Sequence, residues 1–359
     1  MSLHFHSLTV KNIRKETDDC ISVAFDIPSS LENDFRFEHG QNITIRKVID
    51  GEELRRNYSI CTSPLDSELR VAIKAMPFGR FSTWANTSLQ KGNVLEVLPP
   101  TGKFNSSLDP AATKNYLAFA AGSGITPVMS ILKTVLRTEP ASNFTLVYGN
   151  RDRRSIIFRE ELENLKNKYI GRLQLVHILS REQPEAEILY GRIDGNKCAE
   201  LCSHLIDVSS YDEVFICGPE QMIFAVRDHL LSKGLPEEHI HFELFNSSAR
   251  IIKGTEQKVK SASGQELSVI QVKIDGVVTK FELPLQGDTI LNAALRHGAD
   301  LPFACKGGMC STCRAKLVEG KVDMDVNYAL EKDEVAAGFI LTCQSHPVTP
   351  HVFVDFDQR

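Results

Sequence analysis

The stretch Ala304-Cys-Lys-Gly-Gly-Met-Cys-Ser-Thr-Cys313 decides how the C-terminal part of this chain folds. Its three cysteines, Cys305, Cys310 and Cys313, are followed thirty residues later by Cys343, which gives C-x4-C-x2-C and a distant C. Four thiolates at this spacing hold a [2Fe–2S] cluster. The glycines allow a tight loop that brings three thiolates to an iron–sulfur core and directs backbone N–H groups at its sulfurs. We therefore predict a metal site at these four cysteines and transfer of electrons one at a time.

Two other uses of the four cysteines fit the sequence less well. Structural zinc usually takes two close pairs of cysteines, and disulfides need an oxidising compartment, to which nothing in the chain points. The N-terminal residues lack the apolar segment of a signal peptide, and no stretch approaches the eighteen apolar residues of a membrane span. We expect a cytoplasmic protein with no membrane partner. No histidine pair has metal-ligand spacing, and four further cysteines are expected to be ordinary reduced residues: Cys20, Cys61, Cys198 and Cys202.

Length and residue pattern divide the 359 residues into several domains. Residues 1–108 show short β-branched runs and turn signals such as Asp50-Gly51, which predict a small antiparallel β-barrel. In residues 109–245 apolar strands alternate with helices, which predicts an α/β, doubly wound parallel sheet. Residues 246–264 are polar and aperiodic, as in a linker. Residues 265–359 begin with a hairpin pattern around Asp275-Gly276 and continue with a short helix before the cysteine loop. The net charge of −5 argues against a nucleic-acid partner.

The segment Arg55-Arg56-Asn57-Tyr58-Ser59-Ile60 has an Arg-x-Tyr-Ser pattern that resembles the flavin signature of the ferredoxin–NADP reductase superfamily. The resemblance implies that Arg56 neutralises a flavin phosphate, that Tyr58 stacks on the isoalloxazine ring and that the Ser59 hydroxyl lies near flavin N5. The second part of the signature matches Gly79-Arg80-Phe81-Ser82 and implies a turn that donates to the pyrophosphate. Arg56 and the segment HFELF (241–245) favour FAD over FMN, which some relatives of this domain order use. The predicted flavin-binding residues are Arg56, Asn57, Tyr58, Ser59, Lys74, Gly79, Arg80, Phe81 and Ser82.

The segment YLAFAAGSGITPVMSIL (116–132) opens the predicted parallel sheet, and its glycines let backbone amides approach a phosphate at the start of the next helix. Its G-x-G-x-x-P form and the later Cys217-Gly218-Pro219 are both similar to the superfamily's versions. The resemblance implies that Cys217 lies near the nicotinamide C4 and shapes hydride transfer without acting as a nucleophile; the alternative is an ordinary buried cysteine. Ser180-Arg181 stands where NADPH-using members hold the 2′-phosphate, which favours NADPH over NADH. The predicted nicotinamide-binding residues are Gly122, Gly124, Thr126, Pro127, Ser180, Arg181, Cys217, Gly218 and Pro219.

The segment HFELF near the end of the second domain is the last part of the predicted flavin site. Superfamily members bring an acidic residue and an aromatic ring to the flavin from this place, and the resemblance implies that these are Glu243 and Phe245. A β-strand of alternating apolar residues has the same pattern. With Ser59 and Cys217, Glu243 completes the predicted catalytic residues.

The order of flavin barrel, nicotinamide domain and C-terminal ferredoxin covers the whole chain and resembles a class of oxygenase reductases. The stretches DGEELRRNYSIC (50–61), CKGGMCSTC (305–313) and NYALEKDEVAAG (327–338) are most similar to the reductase components of bacterial phenylacetyl-CoA epoxidases. The resemblance implies a plant-type α+β, β-grasp ferredoxin domain, and electron flow from NADPH through FAD and the [2Fe–2S] cluster to a separate di-iron epoxidase. Three alternatives stay open: a reductase for a Rieske-type or other acceptor, a redox sensor without turnover, and a zinc-bearing structural protein.

Overall fold

The computed structural model describes residues 4–245, 266–285 and 287–358. Within this range the chain forms two compact units, one built mainly from residues 6–245 and one that contains residues 266–358; the two are described separately. The predicted linker, 246–264, lies outside the described residues.

The first part of the larger unit is a six-stranded antiparallel sheet with one helix. Its elements are β1 (His6–Thr17), β2 (Cys20–Asp26), β3 (Asn42–Ile49), β4 (Glu52–Ser59), β5 (Leu69–Lys74), α1 (Arg80–Ser88) and β6 (Val94–Val97). The order is β4-β3-β6-β1-β2-β5, and a bridge between Ile60 and Val71 joins the end of β4 to β5, so the sheet closes into the predicted barrel. Asp50 and Gly51 have φ of 51° and 78°, as a two-residue hairpin turn with the twist of its strands requires.

Helix α1 differs from the prediction for this segment. Residues 79–82 were expected to form a turn within strand-like sequence, whereas Gly79 begins a helix that continues to Ser88. Three side chains of the helix, Phe81, Ser82 and Ala85, are buried against the barrel. The helix was missed because RFSTWANTS has few strong helix formers, and packing of its buried face outweighs this weak propensity.

The second part of the larger unit is the predicted parallel sheet with helices. Its elements are β7 (Asn115–Ala121), α2 (Ile125–Thr138), β8 (Asn143–Asn150), α3 (Arg159–Lys168), β9 (Leu173–Leu179), α4 (Gly195–His204), β10 (Glu213–Gly218), α5 (Glu220–Ser232) and β11 (Ile240–Leu244). The order β11-β10-β7-β8-β9 reverses direction between β7 and β10. In an open parallel sheet, ligands bind at the carboxyl ends of the strands at this switch point. Strand β7 ends at Ala121, directly before Gly122, and β10 ends at Cys217-Gly218, so the two predicted nicotinamide segments meet there.

Helix α2 packs the parallel sheet against the barrel inside the larger unit. Ser130 Oγ donates to the backbone oxygen of Thr62 at 2.6 Å, and Thr134 Oγ1 donates to Ser63 Oγ at 2.9 Å. On the same helix, Lys133 and Arg137 both form ion pairs with Asp66. These contacts fix the barrel to the helix that follows Gly122–Gly124, so the residues predicted to bind flavin and those predicted to bind nicotinamide keep a defined separation.

The smaller unit is a mixed five-stranded sheet with helices, as expected for the predicted α+β ferredoxin domain. Its elements are β12 (Leu267–Ile274), β13 (Val277–Pro284), α6 (Ile290–Arg296), β14 (Arg314–Glu319), β15 (Val322–Met324), α7 (Lys332–Ala336), β16 (Phe339–Leu341), β17 (Ser345–Pro347) and β18 (His351–Asp355). The order is β13-β12-β18-β14-β16, with β12 and β18 parallel, and β15 pairs with β17. The side chain of Thr289 accepts a hydrogen bond from the Asn292 N–H and caps α6, which buries Ile290, Leu291 and Ala294.

Short 3₁₀ helices connect several elements of the larger unit: Ser29–Leu31, Gly122–Gly124, Arg153–Ser155, Glu187–Leu189, Val208–Ser210 and Glu237–His239. The first domain's β-barrel, the second domain's parallel sheet and the third domain's mixed sheet confirm the predicted fold classes.

Candidate functional site

The predicted flavin-binding strand is β4, and burial increases from Arg56 to Ser59 at its end. Arg56 is exposed, Asn57 and Tyr58 are half-buried, and Ser59 is buried at the end of the strand. The ring of Tyr58 lies 5.8 Å from the ring of Phe81, the second residue of α1. The strand therefore brings an exposed guanidinium, an aromatic face and a buried hydroxyl along one edge of the barrel, the three groups that the flavin signature requires.

The start of α1 provides the phosphate-binding geometry. The helix has no side-chain N-cap, and its first hydrogen bond joins the Thr83 N–H to the Gly79 oxygen, so the N–H groups of Arg80, Phe81 and Ser82 have no partner in the helix. Such N–H groups bind anions. A Cβ at Gly79 would lie 2.5 Å from Ser82 Oγ, so the turn has no room for a side chain there. A diphosphate group fits this helix start.

Ser82 and Arg80 have roles in the turn itself. Ser82 Oγ accepts a hydrogen bond from the Met76 N–H at 3.1 Å and donates to the Gly79 oxygen at 3.2 Å. Arg80 donates to the oxygen of Ile49 at 2.9 Å and forms an ion pair with Glu52. The predicted serine thus holds the loop closed, and the donors that the helix start leaves without a partner in the helix are backbone N–H groups.

The nicotinamide turn is a close approach of backbone to backbone. Gly122 has φ of 54°, and Gly122–Gly124 forms a 3₁₀ turn that leads directly into α2. A Cβ at Gly124 would lie 2.1 Å from the backbone oxygen of Cys217 and 2.5 Å from its carbonyl carbon. The hydroxyl of Tyr148 donates to the Gly122 oxygen at 2.9 Å, and Thr126 Oγ1 donates to the oxygen of Ser123 at 3.0 Å. Only glycine at position 124 lets the two strand ends meet.

Further predicted residues line the same switch point. Pro127 lies in the first turn of α2, and Pro219 precedes α5. A Cβ at Gly218 would lie 2.7 Å from Met222 Cε, the flexible end of a side chain. The ammonium group of Lys74, at the end of β5, is 4.0 Å from the position of a Cβ at Gly122 and 3.7 Å from Asp19. Lys74 therefore places a positive charge beside the turn that is predicted to hold phosphate.

Cys217 and Glu243 are register partners on β10 and β11. Cys217 is fully buried, and burial raises the pKa of its thiol well above the usual range, with the neighbouring Glu243 acting in the same direction. The thiol therefore stays protonated at neutral pH, which agrees with a role in shaping the site and not with a nucleophile.

Glu243 receives two hydrogen bonds from the barrel. Ser59 Oγ donates to its Oε2 at 2.9 Å, and Asn42 Nδ2 donates to its Oε1 at 3.3 Å. Burial raises the pKa of the Glu243 carboxyl to about 7, and the two hydrogen bonds act in the opposite direction. The structure thus brings together two predicted catalytic residues, Ser59 and Glu243, that lie far apart in the sequence. Phe245 is half-buried and packs against the core of the parallel sheet.

Asn42 is a residue of this site that the sequence did not reveal. It is buried at the first position of β3, and Thr101 Oγ1 donates to its Oδ1 at 3.4 Å. In the segment NITIR (42–46), an asparagine before a β-branched run indicates only where a strand begins. Its orientation towards Glu243 depends on the pairing of two domains, so the local sequence carried no signal for it.

The predicted 2′-phosphate residues follow β9. Ser180 donates from both its N–H and its Oγ to the oxygen of Asn150, and the Arg181 N–H donates to the oxygen of Arg151. Arg181 is exposed, and within the described residues its guanidinium makes no ion pair. Arg151 instead pairs with Asp19 at 2.8 Å. The loop therefore presents the Arg181 cation to solvent beside the sheet edge where the nucleotide is predicted to bind.

The four predicted cluster ligands come together in the smaller unit. Cys305 and Cys310 have their sulfurs 3.2 Å apart, and the Gly307 N–H donates to the Cys305 sulfur at 3.4 Å. The Thr342 side chain donates to the oxygen of Cys313 at 3.0 Å, which holds the neighbouring Cys343 beside the loop. The hydrogen bond from Cys310 and those from backbone N–H groups lower the pKa of the Cys305 thiol to about 6. Four cysteines with N–H groups directed at sulfur fit a [2Fe–2S] cluster.

Loop conformation and packing explain the sequence of the cysteine loop. Lys306 has φ of 52° and Gly308 has φ of 72°, and a Cβ at Gly308 would lie 2.9 Å from the backbone oxygen of Val326. The side-chain amide of Gln344 donates to the oxygen of Lys306 at 2.9 Å. The loop is therefore fixed from the segment that carries the fourth cysteine.

Three domain families match the chain in the predicted order. An oxidoreductase FAD-binding domain matches residues 7–106, an oxidoreductase NAD-binding domain matches 119–228, and a 2Fe-2S iron-sulfur cluster binding domain matches 272–348. These matches confirm the predicted flavin, nicotinamide and iron–sulfur cofactors by class. Within the described residues, no helix is long and apolar enough to cross a lipid bilayer.

Similar proteins extend over the full length of the chain. A subunit of the 1,2-phenylacetyl-CoA epoxidase of Escherichia coli K12 is 47% identical, and the match covers 99% of this chain and 98% of the length of that subunit. The 3-ketosteroid-9-alpha-monooxygenase ferredoxin reductase component of Rhodococcus rhodochrous is 36% identical over 97% of this chain and 96% of its own length. Among solved structures, phthalate dioxygenase reductase has a TM-score of 0.59 at 24% identity, with 98% of each chain covered.

Proposed function

Because the chain belongs to the family of NAD(P)H-dependent oxygenase reductases that join FAD-binding, NAD-binding and 2Fe-2S domains, we propose that it supplies electrons to the di-iron oxygenase of a phenylacetyl-CoA epoxidase. The identity of 47% over the whole chain to a component of such an epoxidase carries the proposal, against 36% for the 3-ketosteroid monooxygenase component. We assign residues 1–108 to the flavin domain, 109–245 to the nicotinamide domain, 246–264 to a linker and 265–359 to the ferredoxin domain.

The roles of the residues follow from their positions. When bound, FAD and the cluster take up the two electrons of a reduced nicotinamide and release them singly. Arg56 and the N–H groups at the start of α1 hold the flavin phosphates, and Tyr58 covers the ring. The Gly122–Gly124 turn binds the nicotinamide phosphates, and the buried Cys217 limits the approach of the nicotinamide ring. Cys305, Cys310, Cys313 and Cys343 bind the cluster iron.

The proposed partner is tested by coupled turnover with purified oxygenases. With phenylacetyl-CoA epoxidase oxygenase subunits, NADPH, O₂ and phenylacetyl-CoA, we expect nearly one epoxide for each NADPH oxidised. With a Rieske-type oxygenase and its substrate, we expect NADPH oxidation with little product. Equal coupling to both, or coupling to the Rieske oxygenase alone, would contradict the assignment, and reduction of no acceptor at all would favour the redox-sensor alternative.

We expect Arg181→Ala to change the cofactor preference. The exposed guanidinium is proposed to bind the 2′-phosphate of NADPH, and loss of charge-assisted hydrogen bonds worth about 1.5–3 kcal/mol corresponds to a KM for NADPH about 10- to 100-fold higher. The KM for NADH should change less than about twofold, since NADH lacks that phosphate. Steady-state kinetics with both nucleotides measure the ratio. Arg159→Ala is the matched control, because Arg159 is also exposed but is paired with Glu163 on α3. Equal losses with both nucleotides would refute the role.

We expect flavin reduction by NADPH to slow as the pH rises through about 7, the pKa of Glu243. Below this pH the carboxyl carries a proton and leaves the Ser59 hydroxyl free to donate to another acceptor. Above this pH the carboxylate accepts a hydrogen bond from the Ser59 hydroxyl at Oε2, and the hydroxyl is then not available to donate to the flavin. Anaerobic stopped-flow rates at pH 6 and pH 8 should differ by about tenfold, because the protonated fraction of a carboxyl with a pKa of about 7 falls from about 0.9 to about 0.1 between these two pH values.

Three variants test this assignment of the pH profile. Glu243→Gln cannot ionise, so its rate should be nearly independent of pH over this range. Asn42→Ala removes a donor to the charged form, so the midpoint of the profile should move to higher pH. Glu213→Gln is the control, since Glu213 pairs with His241 and Lys114 away from Ser59 and should keep the wild-type midpoint. An unchanged midpoint in Glu243→Gln would assign the pH dependence to another group.

A further inference from the structure

Two cysteines and a histidine that the electron-transfer site does not use lie together on α4 and α5. Cys198 and Cys202 are on α4, and His229 is on the last turn of α5, which packs against α4. The two sulfurs are 4.0 Å apart, and the two sulfurs and one ring nitrogen of His229 all lie within 4.8 Å of one another. We call these three residues the α4–α5 cluster.

The environment of the α4–α5 cluster points to a bound ligand. Cys198 is fully buried, while Cys202 and His229 are half-buried. His229 Nε2 is buried and has no hydrogen-bond partner within the described part of the chain. Buried polar atoms without a partner are uncommon, and a bound ion is one way in which such an atom is satisfied. A metal ion between the three side chains would take up the lone pair of an imidazole nitrogen.

We propose that the α4–α5 cluster binds one Zn²⁺ ion. Cysteine sulfur and histidine nitrogen are preferred zinc ligands, and two sulfurs at 2.3 Å from a tetrahedral zinc are about 3.8 Å apart. The observed 4.0 Å between the sulfurs requires only a small adjustment. The spacing of four residues places both cysteines on one face of the helix, as it does for the two histidines of helical zinc sites.

Charge balance and ligand number support the same ion. Two thiolates neutralise the charge of one Zn²⁺ ion. The cluster has three protein ligands among the described residues, so the fourth position of the tetrahedron is left to water. Carboxylates are absent from this described group, which disfavours Mg²⁺ and Ca²⁺.

The position of the cluster indicates a structural role. His229 is nine residues after Glu220, the first residue of α5, which corresponds to about 14 Å along the helix. Zinc at this distance from Pro219 does not contact the nicotinamide ring. It joins α4 to the helix that begins directly after Cys217-Gly218-Pro219, and so stabilises the fold that positions this segment. The spacing of residues along the chain does not reveal the cluster, because the histidine belongs to a different helix.

Metal analysis of the full-length protein, loaded with FAD and cluster, tests the proposal. The protein is purified without oxygen in the presence of a reductant, equilibrated with ZnCl₂, and dialysed into zinc-free buffer. Inductively coupled plasma mass spectrometry then gives zinc and iron for each chain. We expect one zinc and two irons in the wild type. In Cys202→Ser and in His229→Gln, zinc should fall at least tenfold while iron stays at two.

His204→Gln is the matched control, because His204 is an exposed histidine on α4 outside the cluster, and this variant should keep its zinc. Iron and FAD contents show that each variant has folded. Thermal unfolding supplies a second readout: added Zn²⁺ should raise the Tm of the wild type and of His204→Gln, but not that of the other two variants.

Four results would overturn the proposal. The first is a wild type that retains no zinc, and the second is zinc retained in both cluster variants. The third is zinc found only in protein that has lost its iron. The fourth is a wild-type mass lower by two hydrogens, with the disulfide located between Cys198 and Cys202. The last result requires the sulfurs to approach from 4.0 Å to about 2.05 Å.

Discussion

Replacing Cys310 by serine is expected to abolish electron delivery to the oxygenase while leaving reduction of the flavin by NADPH intact. Cys310 is buried, and its sulfur lies 3.2 Å from that of Cys305, so its loss removes a ligand from the centre of the site. Loss of an outer-shell partner of a metal site typically costs about 10- to 100-fold, and loss of a ligand should cost more, so we expect a decrease of more than about 100-fold. The predicted cluster ligands lie in the smaller unit, and most of the predicted flavin residues lie in the larger one. Loss of the cluster should therefore leave flavin reduction by NADPH unchanged.

The measurement compares two electron acceptors. Product formation by the oxygenase requires the cluster, whereas ferricyanide accepts electrons from the flavin directly and should be reduced within about twofold of the wild-type rate, since the flavin supplies this chemistry by itself. Iron analysis should show that the cluster is lost. Ser311→Ala is the control, because Ser311 lies between two predicted ligands in the same loop, and among the described residues its one hydrogen bond is from the Arg314 N–H to its backbone oxygen. An iron-containing Cys310→Ser protein with normal coupling would show that another residue binds the iron.

Elements with a strong local signal were predictable from the sequence. The hairpin of β12 and β13 was expected around Asp275-Gly276, and its two strands are Leu267–Ile274 and Val277–Pro284. The helix expected directly after Gly122 and Gly124 is α2, Ile125–Thr138. Helices α4 and α7 were not predicted. Helix α7 has only five residues, Lys332–Ala336, and owes its position to a capping box between Glu331 and Glu334.

The sequence predicts individual residues of the candidate site but not the contacts between them. The flavin signature identifies Ser59, and the end of the second domain identifies Glu243, yet only the three-dimensional fold shows that these two are hydrogen-bonded. Asn42 illustrates the reason. It comes from the start of a third strand, and its contact with Glu243 depends on how α2 fixes the barrel to the parallel sheet. Sequence motifs indicate local geometry, whereas contacts between residues distant in sequence depend on how whole strands and helices pack.

The glycines of the nicotinamide turn show how such packing limits the sequence. In β7 and β10, Ala120 and Cys217 are register partners, so the two strands end side by side. Gly124, the residue directly before α2, lies against the Cys217 carbonyl. Gly124 has ordinary helical angles, φ −61° and ψ −11°, so a positive φ does not explain its presence. Position 124 is glycine because there is no space for a Cβ, so adding one methyl group tests the importance of this close approach.

Replacing Gly124 by alanine is expected to lower kcat/KM for NADPH about 100-fold, because a displacement of about 1 Å at a reacting site has this effect. The added Cβ would lie 2.1 Å from the Cys217 oxygen, 2.5 Å from its carbonyl carbon and 2.9 Å from the Gly218 nitrogen. These are backbone atoms and cannot rotate away, so the turn or the end of β10 must move. Anaerobic stopped-flow measurement of flavin reduction by NADPH gives the effect directly.

Two other glycines provide a graded comparison. Gly171 lies in the same domain, and a Cβ there has no neighbour within 4 Å, so Gly171→Ala should reduce flavin at the wild-type rate. At Gly218 the closest atom is Met222 Cε, at 2.7 Å, which a rotation of the methionine can move away. Gly218→Ala should therefore lose less than about tenfold, the smaller part of the loss expected from a full displacement. Chemical reduction of the flavin by dithionite should be unchanged in all three variants. If Gly124→Ala reacted as fast as Gly171→Ala, the close approach of the two strand ends would have no part in placing the nicotinamide.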